Sequence, residues 1–284
     1  MVLATTAEQW NAAREALRDS GERFAELACS CEPGAMATRS WTVADTVAHV
    51  TAIALWDTAL AQPEDVPHPY PWNAINDQIR NTNVDTLNVL NDRTLERFAE
   101  RDHTVLAKQL RDHIDDMLHS SADLDPEKPV RWLADSQVPL VGIFAHLTNE
   151  LQIHGRDIAR ATRSRWVIPP EYAAQFIELF VIGATRHGGG RLMYKDRPAH
   201  SRRIAVEFRS RYTTPVTLVR DEKVTVTEAG GTPDVRVHFE PVTLSLTMFG
   251  RISRPRAALS GKLRVGGPRP WLLPAFLRTV RLPS

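Results

Sequence analysis

The sequence predicts an α+β protein with two domains, a helical bundle followed by a small α+β domain. Apolar residues recur at a spacing near four up to about Arg186, and at a spacing of two after Pro198. The first spacing is typical of amphipathic helices, the second of strands with one buried face. The charge changes as well: residues 201–284 hold 15 Lys/Arg and 6 Asp/Glu, a net charge of +9, whereas residues 1–200 carry −8.

These changes place the predicted domain boundaries. We expect a helical bundle over residues 1–165, a helix with a glycine-rich linker over 166–198, and the α+β domain over 199–284. A chain of 284 residues is long enough to bury two separate cores. The basic second domain is suited to dock on the acidic first domain or to attract an anionic ligand.

The composition is that of a globular protein and argues against a membrane span. Hydrophobic residues make up 43% of the chain and charged residues 24%, and no apolar run reaches the ~18–20 residues that a spanning helix needs. The amino terminus has no basic region followed by an apolar core, so we expect a cytoplasmic location. Cys29 and Cys31 lie too close together for ordinary disulfide geometry, which suits a reducing compartment.

Capping residues and prolines delimit the first predicted helices. Thr6 is placed to cap a helix over residues 6–28. Thr42 and Asp45 form a capping box at the start of a second helix, which stops before Pro63. The proline-rich segment that follows is predicted to be a loop.

Three further helical regions follow in the predicted bundle and linker. Trp72–His119 fits one long bent helix or two shorter ones equally well. A fourth helix runs from about Pro139 to Thr162, and another over Glu171–Arg186 ends at Gly188–Gly190.

The carboxy-terminal part is predicted to contain antiparallel strands joined by hairpins. The alternating segments are Ile204–Phe208, Val216–Leu218, Val224–Val226 and Val235–Phe239, with turns at Arg220–Lys223 and Ala229–Pro233. The remaining segments predict a short helix, another strand and a closing helix, at Val242–Phe249, Leu259–Val265 and Trp271–Val280 respectively.

One stretch of the fourth helix, Phe144 to Asp157, carries residues with metal-binding chemistry. His146, Glu150 and His154 follow one another at four-residue steps, so they share one narrow stripe of the helix. A carboxylate buried between imidazoles is unfavourable unless a partner compensates its charge, and a divalent metal would do so. A hydrogen-bonded or solvated Glu/His pair explains the same spacing without a metal.

A third ligand has two candidates. His146 and His154 are two helical turns apart, about 12 Å along the axis, which is too far to share one ion easily. His49, on the second helix, would complete a His₂Glu set with Glu150 and His154. Such a set suits Zn²⁺ and leaves one coordination position for water or substrate. We then expect His146 to support the ligands or to pack against them.

The residues around these ligands resemble the mycothiol-dependent maleylpyruvate isomerase family. Glu150–Thr162 is similar to its E-x-x-x-H-G-W-D-x-A-x-A-T pattern, and Trp41–His49 to its W-T-x-x-D-x-x-x-H pattern. Downstream, Pro241–Gly267 is similar to the sterol-carrier-like domain that follows the bundle in this family. The resemblance covers nearly the whole chain in the right order, and it departs from the pattern at Arg156, where the family has tryptophan.

The resemblance implies a DinB-like four-helix bundle that holds zinc or another divalent metal through His49, Glu150 and His154. It also implies mycothiol as a thiol cosubstrate, which a metal would convert to a nucleophilic thiolate. In the family's isomerase that thiolate adds to the double bond of maleylpyruvate, the bond rotates, and elimination gives fumarylpyruvate. The same thiolate would serve S-transfer, so isomerisation and S-transfer both stay open.

Other charged residues are candidates for supporting roles. Asp157 would either orient the imidazole of His154 or pair with Arg160. In the basic domain, Arg209, Arg211 and Arg251 are candidates to bind a carboxylate of a small electrophilic substrate, with plain surface charge as the alternative for each.

Two other classes of function compete with the thiol-dependent enzyme. One is a non-catalytic binding module for an apolar ligand or a partner, and the other is a hydrolase that uses a zinc-bound water. The arginines of 251–269 lack interleaved aromatic residues and a recognised motif, so we expect no nucleic-acid partner. A monomer or a homodimer is expected.

Overall fold

The amino-terminal part is a bundle of helices. The computed structural model describes residues 4–63, 66–187, 203–221 and 223–278. The helices of this part are Ala7–Ser30 (α1), Val43–Leu60 (α2), Asn76–Asn81 (α3), Leu87–Arg97 (α4), His103–Ser120 (α5), Leu140–Thr162 (α6), Pro170–Gln175 (α7) and Gly183–Arg186 (α8). A π-helical segment, Phe176–Ile182, joins α7 to α8, so the chain is helical from Pro170 to Arg186.

Four of these helices enclose the main core. Both α1 and α2 pack against both α5 and α6, which is the arrangement of a four-helix bundle. The predicted caps at Thr6 and Thr42 are confirmed, and each forms a reciprocal capping box. Helix α6 ends at Arg163, which adopts a left-handed conformation with φ of 60°. The α+β fold class and the helical bundle are confirmed.

The region from Trp72 to His119 differs from both alternatives that its period allowed. It contains three α-helices and two 3₁₀ turns, Trp72–Ile75 and Val84–Thr86. Polar capping residues break it, because Asn83 caps the second 3₁₀ turn and Asp102 accepts from the amides of Thr104 and Val105 at the start of α5. The spacing of apolar residues alone does not reveal such short breaks between helices.

The carboxy-terminal part is built on a five-stranded sheet. Its strands are Ile204–Ser210 (β3), Thr213–Arg220 (β4), Val224–Glu228 (β5), Val235–Phe239 (β6) and Leu263–Gly266 (β7). Their order across the sheet is β5-β4-β3-β6-β7. Two short strands, Pro129–Arg131 (β1) and Gln137–Pro139 (β2), pair separately before α6. The helices of this part are Pro241–Met248 (α9), Arg254–Leu259 (α10) and Leu273–Leu277 (α11), the last preceded by a 3₁₀ turn at Pro270–Leu272.

The prediction of an antiparallel sheet was wrong at one pairing. Strand β6 runs parallel to β3, with Val206 beside Val235 and Phe208 beside Val237. The segment Ala229–Pro233 does not close a hairpin but carries the chain from β5, at one edge, past β4 and β3 to the other side. The other three pairings are antiparallel as expected.

Two smaller corrections concern the end of the chain. The strand predicted over Leu259–Val265 begins only at Leu263, because Ser253 caps a short helix that ends at Leu259. The closing helix predicted over Trp271–Val280 is a 3₁₀ turn followed by α11, and its last two residues lie outside the described part. Gly188–Gly190, the predicted helix stop, also lies outside it.

The two parts touch directly. Ser245 Oγ, in α9, lies 3.1 Å from Asn149 Oδ1 in α6, and both residues are buried. In the described ranges no helix is both long and apolar enough to span a bilayer.

Asp45 holds the start of the helix that carries His49. Its carboxylate accepts from the Thr42 amide at 3.1 Å and hydroxyl at 2.7 Å, and from Arg101 Nε at 2.8 Å. Burial opposes ionisation of Asp45, but these donors outweigh it and lower the pKa of the carboxyl.

We expect Asp45→Asn to lower the free energy of unfolding at neutral pH by about 1 kcal/mol. A depressed carboxyl pKa stabilises the fold fully above the unfolded value, here 3.8, and the contribution is lost as pH falls through the folded value. Urea unfolding of both proteins from neutral to acidic pH should show the difference shrinking below about pH 4. A difference that stays constant across this range would contradict the assignment.

Candidate metal centre

Two long helices of the bundle bring three ligand-type side chains together. Helix α2 is buried along most of its length, and His49 is only 2% exposed. Helix α6 presents Glu150 and His154 towards it from one face, as their four-residue spacing predicts. One ligand atom from each of the three residues lies within 4.8 Å of the other two.

The distances fit a shared ion better than direct hydrogen bonds. Nε2 of His49 and Nε2 of His154 lie 3.5 and 3.4 Å from Oε2 of Glu150. Good N–H···O bonds are about 2.7–3.2 Å long, so both contacts exceed that range. Ligands about 2.1 Å from a tetrahedral ion are about 3.4 Å apart, which is the observed spacing. The residues therefore fit a divalent metal such as zinc.

Burial and neighbouring charges set the protonation of this cluster. Burial opposes ionisation of Glu150, yet the imidazoles of His154 and His49 hold the pKa of its carboxyl well below the usual range. Burial lowers the pKa of His49. Burial also opposes protonation of His154, but the carboxylates of Asp157 and Glu150 outweigh it and raise its pKa. An ionised carboxylate beside a neutral His49 is the state that binds a metal.

The carboxylate of Asp157 lies beside the His154 ring, and Arg251 of the carboxy-terminal part binds this carboxylate. Asp157 Oδ2 lies 3.6 Å from His154 Nδ1, the nitrogen that faces away from Glu150. Arg251 donates from Nη2 to the same oxygen at 2.6 Å and from Nη1 to the Phe249 carbonyl at 2.7 Å. Of the two roles predicted for Asp157, the geometry therefore matches contact with His154, with Arg251 in place of Arg160 as its cationic partner.

His146 sits beside the three residues, with a carboxylate that sequence reasoning missed. Its Nε2 is 3.7 Å from Glu150 Oε1, and its Nδ1 is 3.2 Å from Oδ2 of Asp57. Asp57 is fully buried in α2, and burial raises the pKa of its carboxyl to about 6 although His146 opposes this. The available signal was an acidic residue, Asp57, within the apolar run that follows the first turn of α2, since a buried carboxylate needs a partner.

A cavity of about 530 Å³ opens onto the cluster. Its walls combine aromatic rings with polar side chains, and the ligand-type residues lie among them. The Trp41 ring lies 4.8 Å from the His49 ring and 6.1 Å from the His154 ring, so it covers one side of the cluster. Trp132 lies edge-on to His146 on another side, 4.7 Å away.

The three arginines predicted to face a substrate are placed differently. Arg251 lines this cavity, whereas Arg209 and Arg211 are not among its lining residues. Arg209 pairs with Glu207 at 2.7 Å, and Arg211 stacks over the Tyr212 ring. A substrate role for any of them stays a prediction.

Comparison with known proteins assigns the chain to a family. The model of the mycothiol maleylpyruvate isomerase N-terminal domain matches residues 17–159, half of the sequence. The chain belongs to this family. The matched range includes His49, Glu150 and His154, and the resemblance seen in the motifs is confirmed.

One solved structure is similar to the chain over nearly its full length. It is a mutant of mycothiol-dependent maleylpyruvate isomerase, 12% identical, with a TM-score of 0.49 and coverage of 90% of this chain and 92% of that one. A likeness at this level assigns no activity. Curated proteins include no significant match. The sterol-carrier-like character of the carboxy-terminal part stays a prediction.

Position 155, next to His154, has no room for a side chain larger than that of glycine. A Cβ on Gly155 would lie 2.5 Å from Cε2 of Trp166, well inside contact distance. The Trp166 ring is fixed by its Nε1 bond to the Gln152 carbonyl at 3.1 Å, and Arg23 stacks on it. The ring cannot move aside without breaking these contacts.

We expect Gly155→Ala to lower the free energy of unfolding by about 1–3 kcal/mol through overpacking. In a Trp166→Leu background the same change should cost less than half as much, because the obstructing ring is gone. A double-mutant cycle by urea unfolding measures the coupling. Equal costs in the two backgrounds would show that the ring is not the obstacle.

Proposed function

We propose that the protein is a divalent-metal-dependent enzyme that uses mycothiol to act on a small electrophile. In this proposal His49, Glu150 and His154 hold the metal, zinc or another divalent ion. Membership of the family and the cavity that opens onto these residues support it. The single observation that carries the proposal is the approach of two imidazole nitrogens to one carboxylate oxygen of Glu150, at 3.4 and 3.5 Å.

The metal, when bound, would lower the pKa of a thiol that binds to it, so that a thiolate forms at neutral pH. The chain's own residues do the rest. Asp157, held by Arg251, orients the His154 ring from behind, as metal-binding histidines usually require. Trp41 and Trp132 keep water from two sides of the cluster, which strengthens its electrostatic interactions.

Two reaction types fit this site. An activated thiolate adds reversibly to a conjugated double bond in isomerisation, or it stays on the electrophile in S-transfer. We propose the first by analogy with the family, with S-transfer as the other outcome. Of the three candidate arginines, Arg251 borders the cavity. A substrate carboxylate bound by Arg251 would share its guanidinium with Asp157. We further propose that the bundle spans residues 1–165, the helix and linker 166–198, and the α+β domain 199–284.

A second candidate function has one specific observation in its favour. A cavity of about 470 Å³ lies between the sheet and the π-helical segment, and apolar side chains form most of its lining. Arg254 is the one charged residue among those lining residues. A pocket of this kind suits an apolar ligand, so the carboxy-terminal part would act as a binding module.

Metal content tests the site. The protein, purified without chelator, should hold about one divalent ion per chain, and His154→Ala and Glu150→Ala should lose it. Loss of a residue that supports a metal ligand typically lowers metal affinity roughly 10–100-fold. Loss of a ligand itself should lower metal affinity by more than this. Elemental analysis by mass spectrometry measures the stoichiometry.

The matched control for the metal experiment is His119→Ala, since His119 is an exposed histidine at the end of α5. It should keep the full metal content. Circular dichroism of each variant separates loss of metal from loss of fold. An unmutated protein without stoichiometric metal would refute the proposed site.

Thiol dependence tests the reaction. With metal bound, turnover of conjugated carboxylate-bearing electrophiles should require mycothiol, and product analysis by mass spectrometry separates an isomer from an S-conjugate. Turnover in the complete absence of low-molecular-weight thiol would support the zinc-water hydrolase instead. No thiol-dependent reaction across a panel of electrophiles would favour the binding module.

A further inference from the structure

A second cavity in the amino-terminal part has a volume of about 330 Å³. Its walls come from the end of α2, the 3₁₀ turn Trp72–Ile75, helix α3, strand β1 and the 3₁₀ turn that follows β1. His49, Glu150 and His154 line the cavity described above and not this one. None of the functions above uses this second cavity, which we call the basic cavity because of the charges that line it.

Stacked tryptophans separate the basic cavity from the candidate metal centre. The rings of Trp56 and Trp132 lie 4.5 Å apart at an interplanar angle of 23°, and both residues line both cavities. Trp56 also stacks on Trp72, at 4.8 Å. All three tryptophans are buried, so they form a packed wall. A ligand in the basic cavity therefore lies on the other side of this wall from a ligand at the candidate metal centre.

Three cationic side chains line the basic cavity. Arg80 lies in the last turn of α3, Lys128 precedes β1, and Arg131 is the last residue of β1. Asp135 is the one acidic residue among the described residues that line the cavity, and it has an interaction partner of its own. Cationic groups that outnumber acidic ones around a concave site attract an anion.

The two arginines have donors to offer to such an anion. Within the described ranges, neither Arg80 nor Arg131 takes part in an ion pair or a side-chain hydrogen bond. Burial and then the charges of Arg131 and Arg80 lower the pKa of the His68 imidazole, so both guanidiniums act on the same side chain. Guanidinium groups bind carboxylate and phosphate through pairs of N–H donors, and an anion here would offset the repulsion between the two arginines.

Other donors of the lining point to the same kind of ligand. Trp56 Nε1 donates to His68 Nδ1 at 3.3 Å, so a neutral His68 ring carries its proton on Nε2. Lys128 Nζ donates to the carbonyls of Gln62 and Pro63 at 2.9 and 3.0 Å, which leaves one of its three protons for a ligand. These side chains donate hydrogen bonds, so a ligand must accept them.

We propose that the basic cavity binds a small organic anion, whose carboxylate or phosphate group accepts hydrogen bonds from Arg80 and Arg131. The apolar body of this anion lies against the Trp56 ring and the side chains of Ile79 and Val130. A volume of about 330 Å³ is at the small end of ligand sites, which suits a molecule of about one substituted ring. This inference does not rest on the proposed function, since no candidate metal ligand lines the basic cavity.

Four probes separate the charge from the apolar body in calorimetric titrations of the full-length protein. Benzoate and phenyl phosphate carry both, benzamide carries a ring without the charge, and inorganic phosphate carries the charge without a ring. We expect benzoate or phenyl phosphate to bind about tenfold more tightly than benzamide and inorganic phosphate, because only the ring-bearing anions use both parts of the site. The tighter of the two shows whether the cavity prefers a carboxylate or a phosphate group.

Arg80→Ala combined with Arg131→Ala should weaken binding of the tighter probe about tenfold or more, the effect of losing two charge-assisted hydrogen bonds. Arg18→Ala combined with Arg93→Ala is the matched control. It removes the same charge from two exposed helical arginines that do not line the cavity. The control should change the affinity less than about twofold, because solvent ions screen distant surface charges. Circular dichroism of both double variants checks that the fold is kept.

The titrations are repeated after a chelator has removed bound metal, and the affinities should not change. Several results would overturn the inference: no binding of either ring-bearing anion, equal affinity for benzamide or inorganic phosphate, or equal losses in the two double variants. Binding that disappears together with the metal would also overturn it, since the probe would then lie at the metal centre. A protein that holds no metal but binds the probes through Arg80 and Arg131 refutes the proposed function alone.

Discussion

The carboxylate of Glu150 lies among the imidazoles of His49, His146 and His154, 3.4 to 3.7 Å away. A negative charge at this depth of the bundle is unfavourable without compensation, so the surrounding helices must supply it. Helix α2 brings His49 across from the opposite side, and the capping box at Thr42 with Arg101 fixes where that helix starts. Helices α2 and α6 together thus supply the imidazoles that surround this charge.

The second part of the chain contributes to the same site although none of the three proposed ligands comes from it. Residues 248–252 alternate between two cavities: Phe249 and Arg251 line the one at the candidate metal centre, while Met248, Gly250 and Ile252 line the apolar one. Through Arg251 this segment holds Asp157, and so it sets the surroundings of His154. The carboxy-terminal part thus supports the candidate metal centre, and the short segment forms a common wall of both cavities.

Much of the fold and part of the site followed from local rules. Helical periodicity predicted α1, α2 and α6, and the capping residues Thr6 and Thr42 placed two starts, because such caps act within four residues. The four-residue spacing placed Glu150 and His154 side by side, and a turn of a helix does not depend on the rest of the chain. The parallel pairing of β3 with β6 did not follow, since alternation shows which face is buried but not which strand lies alongside.

What the sequence by itself determined is the chemistry of the candidate ligands and the elements that carry them, since these depend on residue type and short-range spacing. The tertiary structure decided which distant residues lie behind the candidate ligands: Asp57 behind His146, and Arg251 behind Asp157. These two contacts join positions 89 and 94 residues apart. Only the packing of helices and sheet brings such positions together, because no local pattern encodes the path between them.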